Sequence, residues 1–266
     1  MNLLALDTCD SRGSVSVLHD DQVLHTVEHD TADDYSIWLL PAIDCALQAS
    51  GVTFGDIDVY VAASGPGSFT GVRVGLTTVK AWSEVTGKPI VGVSRLEALA
   101  GQAAAAAGDF VAAFTNAQRK QIFGALYRRP SNGGGNTLNR IGEENVIAPD
   151  AFLAWAVENS AAATLRWIST DPEMLSETEA WAARQKSGAA GAEDSGSMDK
   201  GAGRSAEIRI ESASPILAPA IGKLGYHMAT LKQFVDPLRL DANYVRRSDA
   251  EVSWIDRQER ATKTAG

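Results

Sequence analysis

Cysteine is scarce in this chain, with only Cys9 and Cys45 among 266 residues. The two form no C-x-x-C pair and are too few for a zinc site or a disulfide framework, so we expect a reducing compartment.

Long apolar runs are also missing. No stretch reaches the roughly 18 apolar residues of a membrane-spanning helix. The N-terminal apolar run lacks a basic start and is interrupted at Asp7, so we expect no secretory signal and a cytoplasmic location.

A surplus of basic charge is absent too, because 33 acidic side chains face 24 basic ones and the net charge is −9. Since Lys and Arg supply most non-specific affinity for nucleic acid, we do not expect the chain to hold RNA by itself. The imbalance lies in residues 1–110, with 14 acidic and 5 basic side chains. Six of these carboxylates fall within residues 20–34, without a Lys or Arg between them. This acidic rim would favour a basic partner surface.

The first part of the chain has a strand pattern repeated three times before helices appear. Apolar alternation and turn residues then predict a β-β-β-α-β-α-β-α order, which indicates an α/β unit with helices packed on a mixed sheet. Ser94, with Glu97 three residues later, is typical of a helix N-cap. The predicted strands are 3–7, 14–18, 22–28, 59–63 and 90–93, and the predicted helices are 33–49, 70–86 and 95–107.

A second unit is expected from residue 109 onwards. Strand patterns cover residues 110–115 and 121–128, a third strand-like stretch reaches residue 146, and helices are predicted over 149–157 and 217–234. Between these helices, residues 185–206 are rich in Gly, Ala, Ser and Asp. That composition buries too little apolar surface to offset the entropy of ordering, so the segment is predicted to be a mobile insertion.

A glycine-rich loop follows the strand at residues 59–63 and precedes a helix. Such a loop can bring backbone N–H groups close to an anion, or it can be a tight strand-to-helix connection, and both alternatives remain open. It is not a Walker A loop, and its glycine spacing is one residue too long for a dinucleotide fingerprint. Arg73 could serve an anion or a carboxylate of another chain. The loop region comprises Gly65, Pro66, Gly67, Ser68, Phe69, Thr70, Gly71, Arg73 and Gly75.

The histidine pair His25 and His29 does not predict a metal site. The segment is a predicted strand, in which positions four apart lie about 13 Å from each other, too far to share one ion. Both are therefore expected to be surface histidines. The sequence shows no Ser-His-Asp or Cys-His arrangement, so no catalytic residue and no metal ligand is assigned.

Four segments together resemble the TsaB/YeaZ family, a member of the actin-like/Hsp70-like (ASKHA) superfamily. The similarity extends through about residues 1–130 and is patchy beyond, where residues 237–238 and 243–251 resemble the closing motif of many members. The resemblance implies an actin-like, RNase H-like fold of two related lobes, 1–108 and 109–266, each a mixed sheet flanked by helices. The four segments are residues 4–8, 39–41, 65–75 and 92–100.

The resemblance also implies a function. Members of this family are bacterial partners in forming N6-threonylcarbamoyladenosine at position 37 of tRNAs that read ANN codons. They are not the catalytic subunit, but heterodimerise with TsaD, and the ATPase TsaE joins that pair. The resemblance thus implies a non-catalytic scaffold that meets tRNA only through the complex. The M22 peptidase label carried by some members finds no support in these residues.

The nucleotide site of this superfamily is expected to be incomplete here. Asp7 lies where actin-like folds keep a metal-facing carboxylate, although a turn-forming aspartate is equally natural there. The second lobe opens with residues 116–119, Asn-Ala-Gln-Arg, without the aspartate and glycines of a second phosphate loop. We therefore expect no intrinsic cofactor, with ATP or ADP located at most near the subunit interface. A stand-alone ATP-binding or M22-type peptidase enzyme, motivated by the loop and Asp7, is the alternative.

Two helices, 33–49 and 70–86, are expected to pack against a TsaD-like partner. They carry more apolar side chains than one side of a small sheet needs, and a helix bundle between chains would bury them. A homodimer through the same face is expected when the partner is absent. The Tyr35-Ser36 pair replaces the His-Ser of many relatives. The interface candidates are Tyr35, Trp38, Leu39, Val72, Leu76 and Val79.

Overall fold

The computed structural model describes residues 1–131, 138–160, 163–192, 207–243 and 245, with the backbone alone for 185–192. Two five-stranded mixed sheets are flanked by helices. The strands are β1 (Asn2–Asp7), β2 (Ser14–His19), β3 (Gln22–Glu28), β4 (Val59–Ala63), β5 (Ile90–Val93), β6 (Phe110–Asn116), β7 (Ile122–Arg128), β8 (Asn139–Ile147), β9 (Leu165–Ser169) and β10 (Ile208–Ser212). The helices are α1 (Tyr35–Ser50), α2 (Phe69–Thr86), α3 (Arg95–Ala100), α4 (Pro149–Asn159), α5 (Pro172–Ala192) and α6 (Ala218–Thr230).

The two sheets have the same topology. The first has the order β3-β2-β1-β4-β5 and the second β10-β9-β6-β7-β8, which is the same order read from the opposite edge. In each, the first three strands pair antiparallel, and the first, fourth and fifth pair parallel. The predicted two-lobed ASKHA fold is therefore confirmed.

Local sequence signals explain where the first two long helices begin and end. Ser68 caps α2 by accepting a hydrogen bond from the Gly71 N–H, as an N-cap serine does. Gly51 and Gly87 follow α1 and α2 with φ of 69° and 70°, the left-handed conformation that glycine adopts at low cost. Pro41 lies inside α1 rather than in its first turn. Its side chain is exposed, so its ring does not disturb the core.

The last helix of each lobe packs on the sheet of the other lobe. Leu96 and Leu99 of α3 lie in a cluster formed with β6 and β7, while Leu217 and Ile221, at the start of α6, lie in the core of the first sheet. The predicted division at residue 108 falls between the two sheets, and each of these helices packs on the sheet beyond it. This exchange ties the lobes together through apolar packing.

The predicted helix 95–107 is wrong beyond Ala100. Gly101 follows the helix, and the alanine-rich residues after it donate their N–H groups to carboxylates of the second lobe. The Ala104 N–H reaches Glu211 at 3.0 Å and the Ala106 N–H reaches Asp109 at 2.9 Å. One bond spans 107 residues and the other only three, and together they replace helical bonds in spite of alanine's helix propensity.

The second lobe contains elements that sequence patterns did not predict, namely β9, α5 and β10. The expected mobile insertion, 185–206, begins inside α5, because that helix continues to Ala192. Residues 193–206 lie outside the described residues. Among the helices in the described ranges, none is long and apolar enough to cross a membrane.

Replacing Gly222 by Ala should destabilise the protein by about 1–3 kcal/mol, because a Cβ there would overlap the Leu18 side chain beneath α6. Helix propensity alone would favour alanine by about 1 kcal/mol, so destabilisation reports packing. Urea unfolding measures the change. Gly55→Ala is the control, since its Cβ would meet only Thr53 Oγ1 at 3.6 Å. A stabilised Gly222→Ala variant would contradict the packing of α6 on the first sheet.

Candidate functional site

The glycine-rich loop joins β4 to α2 and packs directly against the turn after β1. The Ser68 N–H donates to the Cys9 carbonyl at 2.6 Å, and the Thr8 hydroxyl donates to the Gly71 carbonyl at 2.7 Å. The Gly65–Pro66 peptide is cis, and Gly65 has φ of 101°. The loop therefore makes its polar contacts with this chain's own backbone.

Three glycines of the loop region are required by this close approach. A Cβ on Gly67 would overlap the Cys9 carbonyl oxygen, and one on Gly71 would overlap the Thr8 carbonyl oxygen. On Gly75, a Cβ would lie 2.6 Å from Thr8 Oγ1. Of the two alternatives left open by the sequence, this geometry favours the tight strand-to-helix connection over an anion cradle.

Asp7 is buried at the end of β1 and is paired with Arg95 of α3, the helix that packs on the second sheet; the region where the lobes meet is here called the cleft. Arg95 Nε is 3.3 Å from Asp7 Oδ2, and Arg95 Nη2 is 3.1 Å from Asp10 Oδ2. The Asp7 and Arg95 side chains are only 0% and 2% exposed. Burial lowers the pKa of Arg95, but the charges of Asp7 and Asp10 more than offset this and raise it, so the guanidinium stays charged.

Arg95 also connects the surrounding elements. Its backbone N–H donates to the Gly65 carbonyl at 2.7 Å, which places the glycine loop, the end of β1 and the start of α3 around one residue. Arg95 lies inside the segment 92–100 that carries the family resemblance, but the sequence pattern assigns it no role. One signal was present, because a cation in the first turn of a helix opposes the helix dipole and needs carboxylates nearby.

The second oxygen of Asp7 is also engaged. Asp7 Oδ1 accepts the Cys9 N–H at 2.9 Å. Burial, together with the charge of Asp7, raises the pKa of the Cys9 thiol, so the thiol is neutral and a poor nucleophile. Within the part of the chain that the structure describes, no three His, Cys, Asp or Glu side chains converge as metal ligands.

The turn after β1 is held from the side of α1. His29 Nδ1 lies 3.0 Å from the Ser11 carbonyl and Nε2 lies 2.9 Å from the Asp33 carbonyl. The Tyr35 hydroxyl donates to the Asp10 carbonyl, and burial followed by the charge of Asp7 raises its pKa, so it stays protonated. The expectation of a surface histidine is wrong for His29, because its ring is buried beside Tyr35 and Trp38.

The second lobe contributes a buried carboxylate to the cleft. The Ser94 hydroxyl, which also caps α3 as predicted, donates to Glu144 Oε1 at 2.5 Å. Arg140 Nη1 is 3.6 Å from the same oxygen. Burial and the charge of Glu144 together raise the pKa of nearby Glu97. Asp7 and Glu144 thus both bind donors that belong to the chain itself.

Most of the predicted partner-interface residues do not lie on the surface. Tyr35 is half-buried, and the other five pack inside the first lobe, because α1 and α2 need those side chains to cover their own sheet. The large apolar side chains that these helices do expose are Ile37, Leu40, Phe69 and Val85. The five buried residues are Trp38, Leu39, Val72, Leu76 and Val79.

The turn that opens the second lobe has an unusual backbone. Gln118, Arg119 and Lys120 all have positive φ, between 55° and 62°, a conformation that side chains rarely adopt. Asn116 Oδ1 accepts the Gln118 N–H at 2.7 Å. This asparagine thus organises the turn that opens the second lobe.

The chain is similar in sequence to a known family and to several individual proteins. The family model described as "TsaD: tRNA N6-adenosine threonylcarbamoyltransferase" matches residues 26–178, more than half of the chain. An uncharacterised protein of Mycobacterium tuberculosis is 29% identical over 161 residues, which are 60% of this chain and 74% of that protein.

Two relatives carry the name tRNA threonylcarbamoyladenosine biosynthesis protein TsaB. The Bacillus subtilis protein is 31% identical over 48% of this chain and 56% of its own length. The Escherichia coli protein is 32% identical over 50% of this chain and 58% of its own length. Among solved structures, YeaZ from Pseudomonas aeruginosa matches with a TM-score of 0.66 at 22% identity, covering 91% of this chain and 99% of that one. This likeness shows a shared fold.

Replacing Arg95 by Met should destabilise the protein by about 3–5 kcal/mol, because it leaves Asp7 buried without its cation. The double variant Arg95→Met with Asp7→Asn should lose less unfolding free energy than the sum of the two single losses, because it contains no unpaired buried charge at position 7. Urea unfolding gives all four free energies. Arg12→Met is the control, because its pair with Glu28 is exposed and contributes at most about 1 kcal/mol. Additive losses of unfolding free energy would contradict the coupling between Arg95 and Asp7.

Proposed function

Because the chain belongs to the TsaD family, we propose that it takes part in forming N6-threonylcarbamoyladenosine at position 37 of tRNAs that read ANN codons. The TsaB relatives confirm the resemblance seen in the sequence motifs. In this proposal the chain is a non-catalytic scaffold that pairs with a TsaD-like catalytic subunit. A TsaE-like ATPase joins the pair, and tRNA is met only through the complex.

The observation that carries the non-catalytic assignment is the guanidinium of Arg95 between Asp7 and Asp10. A metal-dependent phosphate site needs a carboxylate that is free to face the metal. Asp7 instead has both oxygens engaged, one by Arg95 and one by the Cys9 N–H. The same arrangement speaks against the alternative of a stand-alone ATP-binding or peptidase enzyme.

The proposed docking surface is the outer face of α1 with the start of α2, here called the α1–α2 face. Ile37 and Leu40 are 65% and 58% exposed one turn apart, and Phe69 is 41% exposed at the first position of α2. Large exposed apolar side chains of this kind are typical of protein interfaces. A helical partner surface would bury them, and a second copy of the chain would do so when the partner is absent.

Two measurements test this function directly. The mass of the species formed on mixing with the cognate TsaD-like protein should be that of a heterodimer, and two separate species at micromolar concentration would contradict the proposal. Modified adenosine should form in tRNA when this chain, the TsaD-like protein and the TsaE-like protein are combined, and not when this chain is omitted. Turnover of ATP or peptide by the chain alone, lost on Asp7→Ala, would instead support the enzyme alternative.

Replacing Leu40 by Asp should weaken binding of the TsaD-like partner at least tenfold, because it places a charge in the centre of the α1–α2 face. Titration calorimetry measures the affinity. Leu231→Asp is the matched control, since Leu231 is similarly exposed but follows α6. Cys45 gives a second readout, because it is exposed on α1 while Cys9 is buried. Labelling of Cys45 by a maleimide should slow when the partner binds. An equal loss of partner affinity in Leu40→Asp and Leu231→Asp would contradict binding at the α1–α2 face.

Reversing the charge of Asp33 and Asp34 to Lys should slow association with the partner roughly three- to tenfold at low salt, and less at high salt. Both side chains are exposed just before α1, inside the acidic rim. Stopped-flow mixing measures the rate. The control pair Asp150→Lys and Glu158→Lys makes the same change of net charge on α4 of the second lobe. An unchanged association rate for the Asp33 and Asp34 variant would show that these two carboxylates do not contribute to partner binding.

A further inference from the structure

The segment after α6 forms a strap that crosses the first lobe and ends in the cleft. The strap comprises residues 231–243 and 245. Its Val235 N–H donates to the Ile90 carbonyl of edge strand β5 at 3.0 Å, and the Lys80 ammonium of α2 donates to the Leu240 carbonyl at 2.8 Å. Leu240 is buried against the first lobe. The strap is therefore anchored along its length before it reaches the second lobe.

At its end the strap contacts the glycine loop and the second lobe together. The Asn243 backbone N–H donates to the Ser64 carbonyl at 2.7 Å, and its carbonyl oxygen lies beside Gly65. The Asn243 side-chain amide donates to Glu144 Oε2 at 2.5 Å. Val245 packs against the apolar cluster that includes β6 and β7. One short segment thus joins the two sides of the cleft.

Glu144 is the point where three parts of the chain meet. It lies on β8 with its side chain only 3% exposed. One oxygen accepts from Ser94, in the connection between the lobes, and the other accepts from Asn243 of the strap. The Tyr127 hydroxyl lies 3.5 Å from the first oxygen. Hydrogen bonds to a buried carboxylate are strong, and losing one leaves a costly unpaired group.

We propose that Glu144 is an interlobe latch, which holds the two lobes in one arrangement by binding Ser94 and Asn243 at the same time. Apart from the strap, the described residues connect the two sheets at 94–109 and 213–217, where the exchanged helices α3 and α6 also pack, and the lobes could shift relative to each other about this joint. The latch adds to this joint a hydrogen-bonded connection that runs from Ser94 through Glu144 to the strap. Closure of the cleft then does not depend on a bound nucleotide. The proposal does not rest on the proposed function.

The test is a distance distribution between the lobes, measured by spin labels in the full-length protein. One label goes on native Cys45 of α1, and the second on Glu158→Cys, an exposed position of α4. Buried Cys9 should remain unlabelled. The parent protein should give one narrow distribution, and adding ATP with Mg²⁺ should not narrow it further. Narrowing by ATP would show that a ligand, and not the strap, closes the cleft, and would overturn the proposal.

Replacing Glu144 by Gln should broaden the distribution, because the glutamine amide cannot accept from both Ser94 and Asn243. Glu143→Gln is the matched control, since Glu143 is the neighbouring residue and is 85% exposed. The control should keep the narrow distribution. A Glu144→Gln protein that melts at a lower temperature but keeps the parent distribution would mean that Glu144 is only a stabilising contact, and the latch would be wrong.

Asn243→Leu keeps the result interpretable should Glu144→Gln fail to fold. This change removes the strap's side-chain donor and leaves the carboxylate and Ser94 in place. It should broaden the distribution as Glu144→Gln does, and the two changes together should broaden it no more than either alone, because they break the same bond. A narrow distribution in Asn243→Leu would overturn the proposal.

Discussion

The buried ion pair between Arg95 and Asp7 is the interaction around which the cleft is built. A guanidinium and a carboxylate at nearly zero exposure would each be costly alone, so each requires the other to stay in place. Arg95 is also the first residue of α3, and its backbone N–H binds the glycine loop at Gly65. The same residue therefore sets both the charge balance of the cleft and the position of α3.

The exchange of α3 and α6 between lobes explains why the chain behaves as one folded unit in spite of its two sheets. Each lobe lacks part of its core until the other lobe supplies a helix. The glycines at 222 and 225 allow α6 to lie directly on Leu18 and Val61, just as those at 67 and 71 allow α2 to lie on the turn after β1. Close helix approach is therefore the common reason for conspicuous glycines in both places, and phosphate binding is not needed to explain them.

The two lobes have diverged in how they use the same topology. The first lobe holds its opening turn through His29, Tyr35 and Arg95, whereas the second forms its equivalent turn with three residues at positive φ. In our proposal this freed the first lobe to act as a docking module. The exposed residues Ile37 and Leu40 follow Asp33 and Asp34, the last two carboxylates of the acidic rim, at the start of α1.

Sequence alone determined the strands of the first lobe, the cap at Ser94, and the fold class, because these depend on alternation, local hydrogen bonds and order along the chain. Tertiary structure decided the rest. Arg95 finds Asp7 across 88 residues, and the alanine-rich stretch after Gly101 gives up helix for carboxylates of the second lobe. Tertiary structure also decided which apolar side chains of α1 face outwards. Trp38 and Leu39 pack in the first lobe, whereas the apolar side chains of Ile37 and Leu40 are exposed. Hydrophobicity is a property of a residue, whereas burial is a property of its neighbours in space.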